Sequence, residues 1–521
     1  MNRKFILIPI LAIAAFAPVQ ADVKLAALFS DHAVLQRDKS LPVWGWTHPG
    51  ELVQVSLGAS KGEARAAADG KWMVRLAAQP LSKEPLKLTV SSKGETIILN
   101  DILLGDVWLC SGQSNMDMVL GGCQAPEDIK TAEFPLVRQF AVEMNFASSP
   151  QKEVKGQWNV CSPQSAPGFT AVGFYFARKV HQETGVPIGI LKSAVGGTNI
   201  ECWMSQETLL ETPSLEPFAK MMRDSLELWR KETAERLPAI DAWSAAAKAA
   251  LRDGKPLPNA PAFPDYPFGE KLFRPRCVTL HNGMIAPLMP MALRGALWYQ
   301  GENNADGNLY VEKTAAKLAA WRKGFENPDL PYYLVQLAGW QKPNEDPAGG
   351  EWGPIREAQR RCLSIPRTGM ASAVDLGDAE DIHPRNKADV GERLALWALR
   401  DEYGKADLVT SGPLFREIKV EGGKVRLVFD SLGGGLMTAH KAGRTPTVED
   451  KGARLQRFAI AGEDRKWHWA DAVIDGDSVV VFSPEVPAPV AVRYAYCSNP
   501  AGANLYNRAG LPASPFRTDN W

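Results

Sequence analysis

Four short polar clusters carry the residue types that acyl chemistry needs. The first is Cys110-Ser111-Gly112-Gln113-Ser114-Asn115-Met116, which follows the apolar run Asp106-Val107-Trp108-Leu109. The second is Gly196-Gly197-Thr198-Asn199, after GILKSAV. The third is Gln300-Gly301-Glu302-Asn303-Asn304, after GALWY. The fourth runs from Asp375 to His383, DLGDAEDIH, after GMASAV. A serine hydroxyl needs a base to attack an acyl carbon at neutral pH, and histidine is the usual one. Of the seven histidines, only His383 directly follows a strand-like run with carboxylates beside it and a helix after it. His32, His48, His440 and His468 fall in β-patterned ends of the chain, His181 lies in an amphipathic helix, and His281 in LHNGM is a weaker candidate. Ser114 is thus the candidate nucleophile and His383 the candidate base.

A histidine base wants a carboxylate to fix its tautomer and stabilise the imidazolium. Asp381 stands two residues before His383 and is the first choice. Glu380, three before, is the second, and a Ser-His dyad braced by a backbone carbonyl is the third. The developing oxyanion needs fixed donors, each worth about 2.7–4 kcal/mol of barrier. The backbone amides of Ser114 and Gly197 fit, and the side chain of Asn304 adds a third donor. Gly196 is the alternative to Gly197, and Gln113 and Glu302 are candidates for orienting the loops or touching substrate.

These clusters need a scaffold that gathers them. Between about Ile102 and Tyr403, apolar strand-like runs alternate with helix-like ones such as FTAVGFYFARKVHQETG and KADVGERLALWALRDEYG. That alternation predicts a parallel sheet covered on both faces, with ligands beyond the carboxyl ends of its strands. From Val23 to about Asn100, short strands separated by turns predict a small sandwich, and from about Leu408 to Trp521 the pattern is β again. Between Ser205 and about Arg276 the alternation stops, first helical and charged, then rich in Ala and Pro. This reads as an insertion of about 205–276, a lid or a wall of the cleft. The divisions are therefore 1–21, 22–101, 102–405 and 406–521, with the two β ends expected to touch, because chain termini often lie close together.

The chain has 521 residues, too many for one core. Lys plus Arg and Asp plus Glu are both 59, a balance that gives no footprint for nucleic acid or anionic membrane. Arg3 and Lys4, the apolar run Phe5–Phe16 and Val19-Gln20-Ala21 form a secretory signal with cleavage near Ala21, too short to span a membrane. Export to the periplasm or medium is expected. It permits disulfides, but the seven cysteines are odd in number and show no CxxC spacing, so no zinc site is indicated and at least one thiol should be free and buried. The 16 Trp are compatible with a sugar ligand and mostly suit a core.

The sequence around Ser114 lacks the G-x-S-x-G elbow of α/β-hydrolases. Instead GQSNM, GGTNIECW, WYQGENNA and DIHP together resemble the SGNH (GDSL-like) hydrolase superfamily, and more narrowly the sialate O-acetylesterase family of carbohydrate esterases. LFSDHAVLQRDKSLPVWGW and ANLYNRAGLPASPFRT resemble the same family, so the likeness spans nearly the whole mature chain. It implies a three-layer α/β/α SGNH domain flanked by β-sandwich-type regions. It implies Ser114 as nucleophile, with its amide, Gly197 and the Asn304 side chain as oxyanion hole, and His383 as base. The superfamily usually has Asp three residues before its histidine, where this chain has Glu380. The implied activity is removal of acetyl groups from O-acetylated sugars, either sialic acid or plant glycans such as xylan and xyloglucan, with no metal or cofactor. A sialate site should contain a cation, for which Arg274, Arg276, Arg356 and Arg385 are available. The rival readings are a non-catalytic glycan-binding protein with a degenerate core, and a lipase or thioesterase with an apolar groove hidden by the insertion.

Overall fold

The computed structural model describes residues 23–267 and 277–521. The expected secretory signal, Arg274 and Arg276 lie outside them. At the centre is a sheet whose seven successive strands are β1 (Glu95–Gly112), β2 (Phe134–Ala141), β3 (Trp158–Cys161), β4 (Ile188–Ala194), β5 (Gly295–Tyr299), β6 (Tyr332–Gln336) and β7 (Thr368–Ser372), in the spatial order β3-β2-β4-β1-β5-β6-β7. Every pairing from β2 to β7 along this path is parallel, and only β3 pairs antiparallel, at the edge.

Neighbouring residues of a strand face opposite sides, so β6 reports what covers each face. Tyr333 packs 6.3 Å from Trp397 on helix α5 (Lys387–Glu402). Tyr332, next to it, accepts a 2.8 Å bond from Lys317 of helix α3 (Tyr310–Gly324). On the α5 side, Trp108 of β1 meets Phe176 of helix α1 (Ala171–Thr184) at 4.9 Å. On the α3 side, Trp298 of β5 meets Trp321 at 6.0 Å. Two covered faces explain why the strands read as unbroken apolar runs.

The strand β1 changes character midway. Over Glu95–Asn100 its residues alternate between half-buried and exposed, and there it pairs antiparallel with Ser82–Ser92. From Ile102 every residue is buried, and it pairs parallel with β4 and β5. The expected division at residue 101 therefore falls inside one strand. No linker separates the amino-terminal sheet from the parallel one, and they share one hydrophobic core.

The carboxyl-terminal region instead has its own core around Val425, Phe429, Val479, Tyr494 and Phe516, between small antiparallel sheets. Antiparallel pairing thus dominates the β structure at both ends of the chain, with Val34–Gln36 pairing parallel to 103–105 as an exception. Among the described residues no hydrogen bond or ion pair joins 23–100 to 408–521. Each end is tied to the α/β region instead, Lys39 to Leu293 on one side and Tyr506 to Asp375 on the other. The segment after Ser205 forms helix α2 (Glu216–Arg252), between α1 and α3 in the chain, in which only Ala219 and Met222 are buried. Cys110, Cys123, Cys161, Cys362 and Cys497 are buried thiols outside any disulfide. Among the described residues no helix is long and apolar enough to cross a membrane.

Candidate active site

All four polar clusters follow the carboxyl ends of parallel strands, β1, β4, β5 and β7, as the sequence predicts. Ser114 opens a single helical turn, Ser114–Asp117, directly after β1. The approach needs glycine at 112. Its φ is +136°, and a Cβ there would lie 2.1 Å from the Tyr299 carbonyl oxygen of β5. Gly196 faces the serine equally closely, since a Cβ would come within 3.2 Å of Ser114 Cβ. Gly197 adopts φ +71°, a left-handed conformation that glycine takes without strain. Neither the Ser114 nor the Gly197 amide donates a hydrogen bond among the described residues, so both are open to a ligand atom.

Two buried side chains stitch the clusters together. Gln113 Oε1 accepts from the amides of Gly301 and Asn303, both at 3.4 Å. Asn115 Nδ2 donates to Glu302 Oε1 at 2.6 Å and to the Ile382 carbonyl at 3.1 Å, while its Oδ1 accepts from Lys387 Nζ at 2.6 Å. Asn115 follows Ser114 and Ile382 precedes His383, so one carboxamide holds the serine turn against the histidine loop. Lys387 is 1% exposed and also donates to the Pro384 carbonyl. Burial lowers its pKa to about 8. Glu302 is pushed the other way, up, by burial, against the pull of the Asn115 bond, and its Oε2 is sealed from solvent with no hydrogen-bond partner.

His383 is partly exposed. Its Nδ1 lies 3.3 Å from Asp381 Oδ1, and the same oxygen accepts the His383 backbone N–H at 2.8 Å. Arg385 donates to Asp381 Oδ2 at 3.1 Å and to the Gly122 carbonyl at 2.6 Å. Donation from the His383 backbone, opposed by burial and aided by Arg385, holds the Asp381 carboxyl below the usual range. Glu380 is exposed, and among the described residues no hydrogen bond or ion pair joins it to His383. Neither Ser114 Oγ nor His383 Nε2 has a hydrogen-bond partner among the described residues.

Three expected placements differ. Asn304 turns inward. Its Oδ1 accepts from the Ile200 amide and from Gln300, and its Nδ2 donates to Glu201 Oε2 at 3.1 Å, which in turn pairs with Lys313 at 2.6 Å. Its amide is thereby committed to a buried carboxylate, away from Ser114. Asn303 stands at the cleft instead, donating to the Gly197 carbonyl at 2.8 Å. Arg356, a candidate cation for a sugar acid, is fully buried and donates to the carbonyls of Leu337, Ala338, Cys497 and Ser498. His281 is also buried, and desolvation lowers its pKa to about 4.

At the second and third clusters lies a cleft of about 730 Å³, lined by Asn199, Glu302 and Asn303 and by Phe218, Met221 and Met222 of α2. Asn115, Lys387 and Asn303 were missed in the sequence. The available signal was a polar residue at each strand exit and a lysine in the first turn of an otherwise apolar helix face.

A family model for carbohydrate esterase, sialic acid-specific acetylesterase, matches residues 104–235 and 273–400. The match covers the second half of β1 through α5 and omits the far part of α2. The chain is 28% identical to a sialate O-acetylesterase of Rattus norvegicus, over 95% of this chain and 94% of that one. It is likewise 28% identical to a sialate O-acetylesterase of Homo sapiens, over 95% and 92%. A solved carbohydrate acetylesterase from Xanthomonas citri superposes with a TM-score of 0.79 at 36% identity, covering 96% of this chain and all of that one.

Proposed function

The chain belongs to the sialic acid-specific acetylesterase family of carbohydrate esterases, and from that premise we propose that it is an exported serine O-acetylesterase of SGNH type acting on acetylated sugars. The observation that carries this reading is the Asn115 carboxamide, which bonds the Ile382 carbonyl and so sets the Ser114 turn beside the His383 loop. Ser114 Oγ attacks the acetyl carbonyl while His383 Nε2 takes its proton. That hydrogen bond forms when substrate occupies the site, as it commonly does for catalytic pairs that are loose without ligand. Asp381 holds Nδ1–H and stabilises the imidazolium.

The tetrahedral oxyanion is met by the amides of Ser114 and Gly197 and by the side chain of Asn303, which gives up its 3.2 Å bond to Asn199 Oδ1 to take the role expected of Asn304. His383 returns the proton to the departing sugar hydroxyl, and water then releases acetate by the same route. The test is acetate release from acetylated sugars by the purified protein and its variants. Ser114→Ala should abolish turnover, and Asn303→Ala should lower kcat by roughly 10²–10³. Ser114→Ala with undiminished acetate release would sink the reading.

A further inference from the structure

The cleft that Asn199, Glu302 and Asn303 line is built asymmetrically. One wall is polar, with Asn199 and Asn303 joined by a 3.2 Å bond and Asn199 Nδ2 without an acceptor among the described residues. The facing wall is the first turns of α2, where Phe218, Met221 and Met222 present an apolar surface. Phe218 is anchored from behind by Lys313, whose Nζ lies 5.4 Å from its ring centroid. Lys313 is itself held by Glu201 at 2.6 Å. The charged side chains lining the cleft among the described residues are Glu201 and Glu302, and Glu201 is already matched by its lysine.

A polar edge opposite an aromatic face matches a pyranose, which has a C–H face and a rim of hydroxyls. Resting on the esterase reading above, we propose that this cleft is the leaving-group subsite for an uncharged O-acetylated pyranose. Its C–H face stacks on Phe218, and its hydroxyls bond Asn199 and Asn303. Helix α2 of the insertion is thereby the specificity wall of the enzyme. A sugar acid would bring its carboxylate towards Glu302, which among the described residues has no ion-pair partner.

Three probes separate the possibilities: acetylated xylo-oligosaccharides, O-acetylated N-acetylneuraminic acid, and para-nitrophenyl acetate, which has no sugar to stack. In Phe218→Leu the ratio of kcat/KM on the oligosaccharides to that on para-nitrophenyl acetate should fall roughly tenfold through KM, and Phe218→Tyr should restore it. Met221, 52% exposed, offers a second variant at a position that does not support the core. Met221→Glu should raise KM for the oligosaccharides and depress turnover of the acetylated sugar acid further. An unmoved ratio in both Phe218→Leu and Met221→Glu, or a wild type that prefers the sugar acid, overturns the proposal. Acetate release that survives Ser114→Ala overturns the esterase reading instead.

Discussion

The two β regions at the ends of the chain attach to the catalytic sheet by different physics. The amino-terminal one is continuous with it. Strand β1 runs from one to the other, the hydrophobic core does not break, and Gln36 and Arg37 reach across to the buried carboxylate of Asp106 at 2.8 and 3.0 Å. The carboxyl-terminal region folds around its own core and is held by polar clamps, with Arg356 on the carbonyls of Cys497 and Ser498, Tyr506 on Asp375, and Arg444 on Asp128. The difference divides the proposed catalytic pair. Ser114 hangs from the end of the shared strand, while the His383 loop begins at Asp375, which Arg393 and Tyr506 hold together. The serine thus depends on apolar continuity with one end, and the histidine on polar docking with the other.

The largest effect should come from the shared strand. Leu103 is fully buried in β1 just past its change of partner. Leu103→Asp buries an unpaired carboxylate and should cost more than about 4 kcal/mol. Tryptophan fluorescence and acetate release should then be lost together in one transition at lower temperature. Activity that outlives a separate early melt would show the two sheets to be independent after all. Second in size is the clamp. Arg356→Met removes a guanidinium whose pKa burial has already lowered to about 10, and it strands carbonyls on both sides of the junction. At about 1–3 kcal/mol for each buried group left unmet, the carboxyl-terminal region should loosen first. Limited proteolysis should then cut between 400 and 420 before the α/β region yields. Loss of the whole fold in a single step would erase the contrast.

The placement of the clusters was legible because apolar runs ending in Gly, Ser or Asn mark strand exits, and in a parallel sheet those exits share one end. The serine, the glycine pair and the histidine loop all landed there. Which of two adjacent asparagines faces the cleft was not legible, since in a single turn that depends on a distant partner. Glu201 and Lys313 draw Asn304 inward, and nothing near position 304 announces them. The division at residue 101 failed for a related reason. A strand can exchange an antiparallel partner for parallel ones through a single left-handed residue, here Asp101 at φ +57°, so Asn100-Asp101-Ile102 reads as a boundary although the strand continues through it. Arg356 reads as a surface cation because arginine is rarely fully buried. Only the approach of the carboxyl-terminal region, with its ring of carbonyls, makes its burial tolerable.

The smallest expected effect probes the same docking through pH. Burial alone would raise the Asp128 pKa, but the bonds from Arg444, Arg178 and Tyr175 prevail and bring it down to about 2. A carboxyl whose folded pKa lies below its ordinary 3.8 stabilises the fold fully above that ordinary value, and the contribution fades as pH falls towards the folded one. Arg444 comes from the carboxyl-terminal region and is partly exposed, so solvent screening limits the pair to about 1 kcal/mol. Arg444→Ala should therefore lower Tm by roughly 2 °C at pH 7, equally at pH 5, and progressively less between pH 4 and pH 2 as wild-type Asp128 takes up its proton. High salt should shrink the difference as well. If Tm of the variant matched wild type at pH 7 and low salt, the ion pair would add nothing to docking. The carboxyl-terminal region would then be held by its other bonds, among them those of Arg356, Tyr506 and Arg493, and the histidine side of the site would depend on buried clamps as the serine side depends on its strand.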